Sequence, residues 1–390
     1  MLNTLKDADF TEKKVLLRAD LDVPLDVKSG DISDDSRLKA AIPTIKKILD
    51  DGAKQLIIMG HMGSPGGKIV KPLCMDKVAI RLMKLSGKSI CKLDDCINIK
   101  IPENEKIILL ENLRFHKEEE ANDIEFAKKL ASCADIYVNN AFATCHRAHA
   151  SMHAITKLLP GCIGLQIEKE LENLDFSTMQ RPIIALLGGA KLKTKIPIIQ
   201  AMLVQADKVL IGGGMMFTFY AVQGLEIGKS LVDYTYSSNA KIMLYNEKLA
   251  LPKDVVIADY ENNQAGIRTV SYNQIPAKSI GLDIGEESIE EFKQELRKAN
   301  TIIWNGPMGY YEKPPFDKAT AELAKIIADL DCKKIVGGGD TADLINKLGL
   351  AGKFTFVSSG GGAALELLSG KKLVALEELD KNTRSGVGYG

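Results

Sequence analysis

Short runs of apolar residues, rich in Ile, Leu and Val, alternate along the chain with longer segments whose apolar positions recur at helical spacing. In the first part the strand-like runs are 14–19 (KVLLRA), 55–59 (QLIIM), 106–110 (KIILL) and 135–139 (DIYVN). In the second part they are 182–187 (PIIALL), 208–211 (KVLI), 255–258 (VVIA), 301–304 (TIIW), 334–336 (KIV) and 354–357 (FTFV). Apolar runs without alternation suit strands buried on both faces, so the pattern predicts parallel sheets covered by helices. The expected fold class is α/β, with two doubly wound, Rossmann-like parallel-sheet domains. Between them, Leu165, Ile167, Leu171, Leu174 and Phe176 mark one stripe of segment 165–178 and several glutamates mark another, which predicts an interdomain hinge helix. The expected domains are therefore 1–164 and 179–375.

Length agrees with this division, because 390 residues exceed what one hydrophobic core usually organises. At 45% hydrophobic and 26% charged residues, the chain has enough apolar material for packed cores. Lys+Arg and Asp+Glu both total 51, so no net charge draws the whole molecule to nucleic acid or to an anionic membrane. Any anion site must be local. The first ten residues carry charges and lack an apolar signal-like core, and no later run approaches a spanning helix, so the expected location is cytoplasmic. Seven scattered cysteines include no C-x-x-C pair and read as reduced thiols. Cys145, His146, His149 and His153 suggest zinc at first sight. Ala150 stands where a zincin helix would need its glutamate, however, and no distant C-x-x-C completes a structural site.

In open parallel sheets ligands bind beyond the carboxyl ends of the strands, where glycine turns admit them and helix N-termini offer free N–H groups. Five such turns lie in the second half: LLGGAK (186–191), LIGGGMM (210–216), IIWNGPMG (302–309), KIVGGGDTA (334–342) and FVSSGGGAALELL (356–368). One glycine turn can be mere packing; five on one edge favour a nucleotide. There is no G-x-x-x-x-G-K-[ST], since Gly224 to Gly228 before Lys229-Ser230 is one residue short of that loop. No G-x-G-x-x-G with its later acidic partner opens a helix, which argues against a nicotinamide dehydrogenase. Lys191, Lys193 and Lys195 crowd the first turn of a helix, where the dipole disfavours cations unless an anion binds. Asp340 just before a helical segment suits either an N-cap or a magnesium partner on a polyphosphate.

The first half has a different chemistry. Only nine residues are arginines, and Arg18, Arg37, Arg114 and Arg147 fall in or beside strand-end or loop segments there. Their planar forks suit bidentate binding of phosphate and carboxylate, with His61 and His149 as further donors, so a small and highly anionic substrate is expected.

Assembled in order, these segments resemble the phosphoglycerate kinase family. The matching stretches are RADLDVP (18–24), Arg37, HMGSP (61–65), LENLRFHKEE carrying Arg114, NNAFATCHRAHAS carrying Arg147, LLGGAKLKTKI, IGGGM, GLDIG, WNGPMGYYE, GGGDTA and SSGGGA. The resemblance implies reversible phosphoryl transfer from 1,3-bisphosphoglycerate to ADP, giving 3-phosphoglycerate and ATP, by a monomeric, hinge-bending glycolytic enzyme with a carboxyl group as phosphoryl acceptor. It implies a 3-phosphoglycerate site from Asp20, Leu21, Asp22, Arg37, His61, Met62, Gly63, Ser64, Arg114 and Arg147 in the N-terminal domain. It implies a nucleotide site from Gly189, Ala190, Lys191, Lys195, Gly213, Gly214, Gly281, Glu312, Gly338, Gly339, Asp340 and Thr341 in the other. Lys195 and Arg37 carry the catalytic role, Asp340 meets Mg²⁺ through the nucleotide phosphates, and segment 376–390 folds back onto the N-terminal domain. Three positions depart from the family pattern: Asp22 stands for asparagine, Ser64 for arginine and Thr194 for a common aspartate. With the substrate site thinned of one guanidinium, a nucleotide-binding protein without turnover is the alternative to an active enzyme.

Overall fold

The computed structural model describes residues 2–260 and 264–384. The chain forms two compact units, one reaching to Glu172 and resuming at Lys372, the other running from Asn173 to Lys371.

In the first unit β1 (Lys14–Ala19), β2 (Gln55–Met59), β3 (Cys91–Lys92), β4 (Ile107–Leu109), β5 (Ile136–Asn140) and β6 (Gly161–Ile163) form a six-stranded sheet in the order β3-β4-β2-β1-β5-β6. Every pairing is parallel. Alternate residues Val15, Leu17, Leu56, Ile58 and Val138 pack with Leu38, Ile45 and Ile48 of helix Ser36–Asp50 and Val78 and Leu82 of helix Asp76–Ser86. The intervening Leu16, Ile57 and Tyr137 are equally buried, as strands covered on both faces require. Helix Val374–Arg384 belongs to this unit: Ala375 N donates to Cys145 O at 3.1 Å, and Glu378 reaches Lys157 at 3.5 Å and His153 at 3.8 Å. Of the expected segment 376–390, residues 385–390 lie outside the described residues.

The second unit has its own six-stranded parallel sheet, β15-β14-β13-β7-β8-β9, built from β7 (Ile183–Leu187), β8 (Lys208–Ile211), β9 (Leu249–Ala250), β13 (Thr301–Asn305), β14 (Lys333–Gly337) and β15 (Phe356–Val357). The run at 255–258 departs from the expectation of a parallel strand. It forms β10 (Asp254–Asp259), the centre of a separate antiparallel sheet between β11 (Arg268–Ser271) and β12 (Ser279–Ile284). An apolar run records burial, not direction, and the partners here are β11, exposed or half-buried throughout, and the alternating β12. The connecting helix runs Leu165–Leu174, shorter than 165–178. Asp175 then accepts from Ser177 N at 2.9 Å and opens a separate 3₁₀ turn, Phe176–Thr178.

Each sheet reverses its winding at one place. In the first unit β1 is flanked by β2 and β5, and in the second β7 is flanked by β8 and β13. The crevice beyond the carboxyl ends of these strands is where such folds bind ligands.

Candidate active site

In the first unit the residues just past the strands converge at that edge. Arg18 is the penultimate residue of β1 and is fully buried. Its Nε donates to Ser151 Oγ at 3.0 Å, Nη1 to Ala19 O at 2.5 Å, and Nη2 approaches His61 Nδ1 at 3.0 Å. A guanidinium only donates, so Nδ1 of His61 accepts and the imidazole is neutral, with its proton on Nε2. Burial, reinforced by Arg18, Arg114, His149 and Arg37, holds its pKa well below the usual histidine range. Nε2 faces Asp22 Oδ2 at 3.6 Å. His149 is lowered to about 4 by burial and then by Arg114, Arg18 and Arg147. Two histidines kept neutral first by burial and then by neighbouring arginines mark a pocket where cationic side chains gather.

Arg37, in the first turn of helix Ser36–Asp50, donates to Asp22 O at 2.7 Å and pairs with Asp20 Oδ1 at 3.4 Å and Asp22 Oδ2 at 3.8 Å. Burial raises the pKa of Asp20, opposed by Arg37 and Arg18. Arg114 lies on the 3₁₀ turn Leu113–Phe115 past β4, and its Nη1 donates to Gly63 O at 2.7 Å. Gly63 N in turn donates to Asp22 Oδ1 at 2.8 Å, so the 61–64 loop is tied to both neighbours. Leu21 and Met62 are buried beneath it, whereas Ser64 and Arg147 are exposed. Ser64 Oγ lies 3.5 Å from Arg114 Nη1. Among the described residues Asp20 Oδ2, Arg114 Nη2 and His149 Nδ1 are buried without hydrogen-bond partners. Unmet buried polar groups at a strand edge are what a polar ligand would satisfy.

The second unit presents glycine turns. Gly188 and Gly189 follow β7, and Gly212, Gly213 and Gly214 follow β8. Gly213 has φ +69°, and a Cβ there would lie 2.5 Å from Gly189 N, so neither bulk nor a handed residue fits. Ala190 and Lys191 are exposed at the rim, with Lys191 at the N-cap of helix Leu192–Gln205. Lys195, one turn in, folds back so that its Nζ donates to Asn305 Oδ1. Asn305 Nδ2 donates to Gly337 O at 2.6 Å, and Gly306 N donates to Thr341 Oγ1 at 2.8 Å, which joins β7, β13 and β14 at one edge. Burial lowers the Lys195 pKa to about 8, opposed by the Asp340 carboxylate. Gly338 and Gly339 lead into helix Gly339–Lys347, whose first turn carries exposed Asp340 and buried Thr341. Glu312 is exposed in the turns after β13. Gly281 lies within β12, where an added Cβ would meet Phe217 Cζ at 2.1 Å and its N–H donates to Ser230 Oγ at 2.9 Å.

Sequence reasoning missed three organising residues. Asn112 accepts from Met62 N and Arg114 N, at 3.2 and 3.1 Å, and donates to Met62 O and Leu73 O. Glu119 is fully buried and accepts from Ser151 N and Oγ, backing Arg18. Asn305 positions Lys195. The available signal was a polar side chain at or just past the end of an apolar run, as at Asn112 and Asn305.

Residues 5–371 match the family model described as phosphoglycerate kinase. A phosphoglycerate kinase of Trichodesmium erythraeum is 45% identical over 97% of this chain and 98% of its own length. That of Dictyoglomus turgidum is 47% identical over 95% and 96%. Among solved structures, phosphoglycerate kinase from Coxiella burnetii superposes with a TM-score of 0.87 at 34% identity, covering 98% of this chain and all of that one. The enzyme from Pyrococcus horikoshii gives 0.84 at 31% over the same shares. With its arginine edge, its glycine edge and these relatives in agreement, the chain belongs to the phosphoglycerate kinase family.

Proposed function

We propose that this chain carries out the family reaction, phosphoryl transfer from 1,3-bisphosphoglycerate to ADP giving 3-phosphoglycerate and ATP, with each ligand on its own unit. The observation that carries the reading is the Lys195 ammonium, held by Asn305 at a glycine-lined edge of a different unit from the buried arginines. On the first unit Arg37, Arg114 and Arg147 bind the phosphate and carboxylate of the glycerate, and the free Asp20 Oδ2 accepts from its hydroxyl. His61 orients this set as a neutral donor through Nε2. Leu21, Met62, Gly63 and Ser64 shape the floor and rim.

On the second unit the turns at Gly189–Ala190, Gly213–Gly214 and Gly338–Gly339 admit the nucleotide, and the helix beginning at Gly339 offers free N–H groups to phosphate. Lys191, Glu312, Thr341 and, through packing, Gly281 complete that site. Magnesium fits Asp340, an exposed carboxylate that forms no ion pair among the described residues and whose charge reaches Lys195. When bound with ADP or ATP, Mg²⁺ supplies charge neutralisation at the phosphates. The attacking group is a phosphate oxygen and the leaving group a carboxylate, so no strong general base is needed. Lys195 and Arg37 balance charge on the transferring group, and rate comes from positioning.

Transfer between ligands on separate units needs a closing motion, and we assign the bend to 165–178 and to the chain's return near Lys372. Family membership disfavours the dehydrogenase reading. No described helix is long and apolar enough to cross a membrane. A monomer acting in the cytoplasm is the organisation we propose. The test is ATP-dependent phosphorylation of 3-phosphoglycerate with Mg²⁺, coupled to a glyceraldehyde-phosphate dehydrogenase, beside Lys195→Ala. The variant should lose about 10²–10³-fold in kcat with a much smaller change in nucleotide KM. Nucleotide binding without turnover in the wild type would instead leave a binding protein.

A further inference from the structure

At the outer end of the first unit's strand edge, among residues given no role above, the loop after β3 and the turn after β4 bring together an aspartate, a cysteine and a histidine. We propose that Asp95, Cys96 and His116 form a binding site for Zn²⁺ on the first unit. The Asp95 carboxylate oxygen, Cys96 Sγ and a His116 ring nitrogen all lie within 4.8 Å of one another. Tetrahedral zinc, with bonds of about 2.0–2.3 Å to N, O and S, sets neighbouring ligand atoms roughly 3.3–3.8 Å apart, so the Asp95–His116 pair, now hydrogen-bonded at 2.7 Å, must open while the thiolate stays within reach. The donor set of thiolate, imidazole and carboxylate suits a borderline-soft ion and not magnesium.

Each ligand is already held from its own backbone. Asp95 Oδ1 accepts from Cys96 N at 2.6 Å and from His116 Nε2 at 2.7 Å. Asp95 O accepts from Glu111 N at 3.4 Å, and His116 N donates to Leu113 O at 3.2 Å. The imidazole packs on Phe126, with ring centroids 5.5 Å apart. Cys96 is fully buried, while Asp95 and His116 reach toward solvent, which leaves a fourth position for water.

A second group in the same unit shows what a closed set looks like. Cys74, Asp76 and Glu111 meet the same distance condition, but Lys92 Nζ stands 2.7 Å from Glu111 and 3.5 Å from Asp76 and already supplies the cation. Among the described residues Asp95 pairs with His116 and with no lysine or arginine. Zinc at Asp95, Cys96 and His116 would join the loop after β3 to the turn bearing Arg114, two residues before His116.

The chelator-stripped full chain should bind Zn²⁺ in calorimetry, and Co²⁺ in its place should give a thiolate-to-metal absorption band. Cys96→Ser and His116→Gln should each weaken zinc by more than roughly tenfold, and Cys96→Ser should abolish the sulfur band. Cys74→Ser should retain both. Thermal melts of the metal-free proteins separate lost binding from lost folding: zinc should raise the Tm of the wild type and of Cys74→Ser and leave folded His116→Gln unmoved. A cobalt spectrum without a sulfur band, or equal zinc affinity in all four proteins, overturns the site.

Discussion

The Lys195 ammonium is paid for by its ligand. Burial lowers its pKa to about 8 in the free protein, and the phosphates of the proposed nucleotide would push it back up. kcat/KM for the nucleotide, which reports the free enzyme, should therefore fall as pH rises above about 8, while kcat holds to higher pH. Lys195→Arg should remove that alkaline limb from kcat/KM; a limb unchanged in the variant would assign it to another group. His149 argues the opposite limb. Its folded pKa of about 4 lies below the ordinary histidine value near 6.5, so between these pH values the unfolded chain binds more protons than the native one. Stability thus rises with pH through that window and is lost on acidification. In urea melts across it, folded His149→Gln should lose stability less steeply than the wild type as pH falls; equal slopes would mean that the native imidazole takes up its proton like the unfolded one.

At the scale of elements, the terminal helix Val374–Arg384 is the least local piece of the first unit. Leu379 is buried, with its Cδ1 2.9 Å from where a Cβ on Gly161 of β6 would stand. Leu379→Ala should cost about 2–5 kcal/mol in the denaturation of the first unit, with the second little affected. A loss below about 1 kcal/mol would show the helix to be dispensable there. The same scale shows what the sequence made legible. VLLRA, QLIIM and IIALL announce doubly covered strands because both faces are apolar and no alternation competes. β3 and β9, of two residues each, are too short to leave a pattern, and β11 is polar at all but Val270. The run at 255–258 misled because burial looks alike in parallel and antiparallel pairs. Site residues followed the same logic. Arginines and glycines past strand ends stood out by type, whereas Asn112, Glu119 and Asn305 act through hydrogen bonds to partners far along the chain, which spacing cannot show.

For the whole molecule, equal totals of 51 cationic and 51 anionic residues hide a division of labour. Guanidinium groups gather at the switch point of one sheet and backbone N–H groups at that of the other, so two chemically different ligands need no shared pocket to be told apart. The division makes a prediction that activity alone cannot. Hydrogen exchange followed by mass spectrometry should show 3-phosphoglycerate protecting amides around 20–23, 60–64 and 112–116, and ADP with Mg²⁺ protecting 188–195, 212–216 and 338–344. On the proposed assignment each ligand binds only the native form of its unit, so its protection should grow with concentration as binding linkage requires. If 3-phosphoglycerate alone slowed exchange in the glycine turns, or ADP alone in the 60–64 loop, the assignment of ligands to units would fail even with full turnover. Protection confined to the assigned edges would leave only the transfer step to require both units at once.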